Sequence, residues 1–232
     1  MTTEEKVIDF AQDVYLVRFE RHIDDVDQED GQEEVDKIIR WTNLFGQDLE
    51  LETDWQWLRE NDKELGTVTS SAPVLELPSD ARKLAVDEHR SLVIKQGGSI
   101  VSYWDVVDPS RIMRDNTATR ENRVTTVNRK IVFSRELNDK EVGGTVHADV
   151  IKPIPQLARD DDELLDLVPN RQLLVLGVAA HSTLPDITQG PLSPAYMERY
   201  ADLLERAVAE NEATSISNQA MGTDYSYIRG VF

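Results

Sequence analysis

Apolar positions recur at helical spacing at both ends of the chain and at strand spacing in the middle. Val7, Phe10, Ala11 and Val14 share one face with Arg18, which predicts a helix over residues 4–21. Thr3 supplies only half of a capping box there, because Lys6 stands where Glu or Gln would complete it. Val35, Ile38, Ile39, Thr42, Phe45 and Leu49 fall at i, i+3, i+4, i+7, i+10 and i+14, predicting a second helix from Glu33 to about Leu49. Trp55, Trp57 and Leu58 follow a break. Such a Trp pair can form a stacking platform, but its large apolar area favours closing the top of a core.

From Leu65 the period shortens. Gly66 interrupts the helical pattern and Thr67-Val68-Thr69 opens a β-rich region. Candidate strands are 74–77, 83–87, 92–95, 100–107, 124–127, 130–133 and 145–151, with hairpin turns at Gln96-Gly97-Gly98 and Asn128-Arg129. Short strands at close spacing indicate a small barrel or sandwich. Lys152-Pro153-Ile154-Pro155 ends the last ladder. Helical spacing then returns. Residues 173–180 are apolar almost all round behind the N-cap-type Asn170, the mark of a helix buried on several sides, with Gly177 leaving room for close approach. Ser193-Pro194 starts a further helix with a stripe of Tyr196, Tyr200, Leu203, Leu204, Ala207 and Val208, ending near Glu212. These last two helices are expected to form the core on which the rest packs.

The pattern gives an α+β fold: a helical bundle from the N- and C-terminal helices (1–64 and 153–213), an inserted small antiparallel β-barrel or sandwich (65–152), and an extended C-terminal arm (214–232). The arm can span roughly 60 Å at about 3.3 Å per residue. A compact domain of this length has a radius of gyration of only about 17 Å, so the arm can reach across a neighbour. Met221, Tyr225, Tyr227, Ile228, Val231 and Phe232, with Arg229 among them, suit interface anchoring better than a solvated tail.

Charge narrows the partners. With 25 basic and 44 acidic residues the net charge is −19, which disfavours sequence-independent DNA binding and docking on anionic membranes. The acidic stretch 22–36 reads as a solvated loop leading into a helix whose first turn welcomes carboxylates. A calcium loop fails on register, because placing Gly31 at the turn puts Val26 first and Lys37 twelfth. One segment is locally basic: the loop before strand 124–127, with Arg111, Arg114, Arg120 and Arg123, is either a contact for an acidic partner or a solvated loop. The absence of cysteine excludes disulfides, thiol nucleophiles and Cys-based metal sites. No basic region followed by an apolar run opens the chain, so no signal peptide is expected, and the longest apolar stretch of about eleven residues is too short to span a bilayer. No GxGxxG, P-loop, HExxH or GxSxG occurs, and His22, His89, His147 and His181 lack metal-ligand spacing. A non-enzymatic protein with no cofactor and no metal is expected; a hydrolase using an unselected carboxylate pair is the rival from another class.

Five segments in fixed order carry a resemblance: IIRWTNLFGQDLELETDWQWL at 38–58, LELPSDARKL at 75–84, IVFSRELNDKEVGGTVHADVIKPIPQL at 131–157, LLDLVPNRQLLVLGVAAH at 164–181 and YMERYADLLERAVAENE at 196–212. Together the chain resembles the head-to-tail adaptor (connector) proteins of tailed bacteriophages, the group that includes the podophage tail-tube gatekeeper. The resemblance spans most of the chain, although the acidic 22–36 stretch and the basic loop are not general features of that group. It implies a virion structural protein at the neck between capsid portal and tail. Such adaptors form a homo-oligomeric ring, usually a dodecamer, that docks under the portal through its helices and arm. They extend the DNA channel, let packaged DNA pass without specific binding, and receive the tail or nozzle protein. A head-closure or tail-completion protein not bound directly to the portal is the alternative.

Overall fold

The computed structural model describes residues 2–24, 26, 28–86, 92–109, 122–182 and 192–228, with side chains through residue 213. Two compact units emerge: Met1–Thr53 with Ile154–Thr214, and Asp54–Pro153 with Ser215–Phe232.

The first unit is helical. Helix α1 (Thr3–Phe19) starts one residue earlier than its sequence signal. Thr2, not Thr3, is the cap: its hydroxyl accepts from Glu5 N at 3.2 Å, and the Glu5 carboxylate accepts from Thr2 N at 2.6 Å. This complete capping box stabilises the first turn by about 1 kcal/mol. Helix α2 (Glu29–Glu52) is longer than its apolar pattern, because Glu29 and Asp30 in its first turn suit the positive end of the helix dipole. It buries Val35, Ile38, Thr42, Phe45 and Leu49 on one face, and the Thr42 hydroxyl is satisfied by Ile38 O at 2.8 Å. A short helix α3 (Glu163–Leu167) precedes α4 (Arg171–His181). Asn170 caps α4 as its residue type suggests, accepting from Gln172 N at 3.0 Å and Leu173 N at 3.2 Å.

Every residue of α4 from Leu173 to Ala179 is buried. A Cβ at Gly177 would lie 2.2 Å from the Phe45 ring, so only glycine lets α2 and α4 approach this closely. Helices α1, α2 and α4 pack on one another. The last helix, α5 (Pro194–Ile228), is peripheral, contrary to its expected place in the core. Tyr196 and Met197 remain 37% and 42% exposed, and Leu203, Leu204, Ala207 and Val208 are only half-buried. The expected extended arm is also corrected: residues 214–228 continue α5 as helix. No proline follows Pro194, and an established helix gains one hydrogen bond for each residue it adds.

The second unit contains eight strands among the described residues: β1 (Arg59–Thr67), β2 (Leu75–Glu76), β3 (Lys83–Leu84), β4 (Leu92–Gln96), β5 (Ser99–Val106), β6 (Arg123–Val127), β7 (Lys130–Phe133) and β8 (Thr145–Ile151). They follow the order β1-β8-β4-β5-β6-β7-β2, a nearly closed sheet, with β3 pairing to β8 off this path. Pairing is antiparallel except between β5 and β6, which run parallel over Asp105–Arg123 and Val106–Val124. Strand β1 has no strand-like signal, because RENDKELGT is mostly charged and is broken by register shifts around Asn61-Asp62 and Leu65. Residues 59–64, expected with the helices, therefore belong to the sheet.

Both predicted hairpin turns form. Gly97-Gly98 and Asn128-Arg129 take positive φ at both positions, the two-residue geometry that matches strand twist. Arg129 is a costly residue for this conformation, and its guanidinium donates to Leu77 O, Pro78 O and Ala81 O at 3.1, 2.7 and 3.3 Å. The sheet interior is a continuous apolar core. Leu92 and Ile94, Trp104 and Val106, and Val146, Ala148 and Val150 alternate inward from neighbouring strands. Trp55 is 2% exposed with its ring centroid 5.7 Å from that of Trp57, which fits the core reading of this pair.

Candidate functional site

The two units divide the charge unequally. The helical unit carries 27 acidic and 9 basic side chains, a net −18, whereas the β unit with the C-terminal residues carries 17 and 16, a net −1. Nearly all of the chain's net negative charge therefore belongs to the helical unit.

On that acidic unit, three contacts mark where α5 meets its neighbours. Tyr200 meets Phe45 edge-on at 6.1 Å, Arg199 donates to Gln172 Oε1 at 2.9 Å, and Asn211 Nδ2 lies 3.4 Å from Thr53 Oγ1. Burial pushes the Tyr200 phenol above its ordinary pKa, and the Glu52 and Asp48 carboxylates add to the shift. The helix thus lies over the acidic C-terminal half of α2 with its apolar stripe only partly covered. Of the proposed arm residues, Met221, Tyr225, Tyr227 and Ile228 lie on the last turns of α5, with side chains outside the described set. Arg229, Val231 and Phe232 lie outside the described residues.

Of the four arginines of the basic loop, Arg123 lies within the described residues, at the start of β6, while Arg111, Arg114 and Arg120 lie outside them. The point where the chain returns to the sheet is firmly tied. Asp105 N donates to Asn122 O at 2.9 Å, Asn122 Nδ2 to Tyr103 O at 2.9 Å, Arg123 N to Ser134 Oγ at 3.0 Å, and Ser134 N to Arg123 O at 2.8 Å.

Behind this neck sits a polar hub that sequence reasoning missed. Arg135 donates to Asn122 Oδ1 at 2.8 Å and Glu136 O at 2.8 Å, and grips both oxygens of Glu141 at 2.9 Å. Its guanidinium also stacks 4.6 Å from the Trp104 ring centre. Glu141 is 1% exposed and accepts from Asn138 N at 2.8 Å. Burial acts to raise its pKa, but the bonds from Arg135, the Asn138 N–H and Ser102 together hold it below the usual carboxylate value. Nothing in a run such as SRELNDKEV marks one glutamate as buried. The fold that brings Ser102 and Trp104 beside it supplies the signal.

Among the described residues the histidines do not converge. His147 Nδ1 lies 3.4 Å from Asp62 Oδ1 in the β unit, and His181 Nδ1 lies 3.2 Å from Asp48 Oδ2 in the helical unit. His22 is exposed and His89 lies outside the described residues. Among the described residues, no group of three or more His, Asp or Glu is placed to hold a metal ion, and no helix is long and apolar enough to cross a membrane. No protein-family model and no curated protein sequence matches this chain.

Proposed function

We propose that the chain is a virion structural protein: a ring-forming head-to-tail adaptor that docks under the portal, extends the DNA channel and provides the platform for the tail or nozzle. The observation that carries this reading is helix α5. It is a long helix at the edge of an otherwise well-packed unit, with an apolar stripe none of whose residues Tyr196, Tyr200, Leu203, Leu204, Ala207 and Val208 is fully buried by its own chain. Such a stripe is unfavourable in water and suits burial by another protein. The charge division supports the same role, because a net −18 on the helical unit repels DNA phosphates and would let packaged DNA pass without sticking.

In this reading α5 is the docking element, with Met221, Tyr225, Tyr227, Ile228, Arg229, Val231 and Phe232 as portal anchors. Arg111, Arg114, Arg120 and Arg123 contact an acidic partner surface. The test is removal of residues 214–232. Portal docking, followed by co-sedimentation and by mass with and without portal, is lost while the melting temperature of the remaining chain is kept. Unchanged docking after this deletion overturns the assignment of the docking element.

A further inference from the structure

Helices α2 and α5 lie side by side and run in the same direction. Tyr200 meets Phe45, and further along both helices Asn211 Nδ2 approaches Thr53 Oγ1. Successive helical residues are about 100° apart, so these contacts and one more fix which flank of α5 faces which neighbour. Arg199 donates to Gln172 of α4, so its flank of α5 faces α4. Met197, Leu204 and Val208 stand on the opposite flank of Tyr200. On α2, Phe45 meets α4 at Gly177, and Tyr200 lies close to the Asp48 and Glu52 carboxylates. Leu44 and Leu51 stand beyond Asp48, on the side away from α4.

The two apolar rows therefore flank one groove between α2 and α5. Leu44 is 46%, Leu51 82% and Met197 42% exposed, and Leu204 and Val208 are half-buried. The rows extend about 10 Å along α2 and about 16 Å along α5, roughly two to three helical turns. A groove with apolar walls of that length fits a third helix that lays its apolar face between the other two.

Charge decides which helix. Exposed Glu198, Glu205 and Glu212 recur every seven residues along the outer edge of α5, with no ion pair among the described residues. Both arginines of the described part of α5 are engaged on the other flank, Arg199 with Gln172 and Arg206 with Asp202 at 2.8 Å. Exposed Glu52 closes one end of the groove on α2. Asp48, between the leucines, already has His181 at 3.2 Å, so the uncompensated charge is that of the glutamates. At the end away from Glu52, Lys37 is paired with Glu34 at 2.6 Å and Arg40 donates to Asp36 O. No described helix of a second copy suits such a rim, because α1, α2, α3 and α5 are each net acidic and α4 is buried from Leu173 to Ala179. We infer that the α2–α5 groove binds a lysine- or arginine-rich amphipathic helix of another protein, with its apolar face against Leu51 and Met197 and its cations against Glu205 and Glu212. None of these residues belongs to 214–232, so this docking is separate from that of the C-terminal residues.

The probe is a fluorescein-labelled peptide of about four helical turns, with leucine on one face and lysine on its flanks. It is added to the full-length protein at physiological salt and followed by anisotropy. Wild type binds it. Leu51→Ala and Met197→Ala each weaken binding about tenfold, whereas Leu16→Ala, which trims an exposed leucine of α1, leaves it unchanged. Glu205→Lys weakens the lysine peptide and improves binding of a second peptide with glutamate in place of lysine, an exchange that misfolding cannot produce. The inference is overturned if wild type does not bind the lysine peptide, if Leu16→Ala weakens binding as much as Leu51→Ala, or if the glutamate peptide binds wild type equally well. Protein that binds neither peptide but loses self-association with Leu51→Ala assigns the groove to a second copy and overturns it too. In each of these cases the deletion of residues 214–232 still tests portal docking by itself.

Discussion

The helical unit and the β unit solve the same burial problem with different materials. The helical unit concentrates its apolar residues in α1, α2 and α4 and surrounds them with carboxylates, so its outside repels itself. The β unit balances its charges and places them in specific pairs, including one glutamate that is almost fully buried. One unit is thus stabilised by packing against a standing electrostatic penalty, and the other by packing together with directed polar contacts.

The comparison can be broken first at the two cores. Trp104→Ala removes the largest fully buried side chain of the barrel and, with it, the ring on which Arg135 stacks. It should cost about 4 kcal/mol, measured by urea unfolding. Gly177→Ala should cost about 2–3 kcal/mol, because its Cβ would collide with the Phe45 ring between two helices. Hydrogen exchange should show the first loss in the β unit and the second in the helical unit. Uniform loss in both would mean that the units unfold as one.

A subtler contrast lies in acid. Glu141 has its folded pKa held below 4.5, so its stabilisation is fully present above that pH and is lost as pH falls through the lowered value. Glu141→Gln should cost about 2 kcal/mol at neutral pH and much less once the wild-type carboxyl is protonated. Acid titration of stability for both chains checks this, and parallel curves would remove Glu141 as the cause. The smallest effect concerns salt. Raising ionic strength screens repulsion in the helical unit and attraction in the β unit's surface pairs. Exchange in α1 and α2 should slow by an amount worth under about 1 kcal/mol, while β1 and β8 change little or in the opposite sense.

Much of this division was legible in the sequence. Seven of the described strands lie where alternating residues and turn signals put them, and Asn170, Pro194 and Gly177 act as their residue types suggest. What escaped was decided by distant partners. Strand β1 carries no strand signal because its charges are satisfied by Asp149, Asp80, Lys95 and Lys152 from elsewhere in the chain. Helix α5 has a stripe that looks like core, yet pattern alone does not say how much of a stripe its own chain covers. The hub at Arg135 and Glu141 depends on Ser102 and Trp104, more than thirty positions away in sequence. The resemblance to phage adaptors carries the functional reading further than residue patterns do, and α5 is the feature on which that reading now depends.

The parallel pair β5–β6 has one more consequence. The segment leaving Val106 comes back at Arg123, whose Cα partner is Asp105, so its two ends are held one strand spacing apart. A segment anchored in this way can lengthen or shorten without disturbing the register of the sheet, since doubling a closed loop costs only about 0.6 kcal/mol. Foreign residues, a fluorophore or an affinity peptide grafted between positions 110 and 121 should therefore leave the barrel intact.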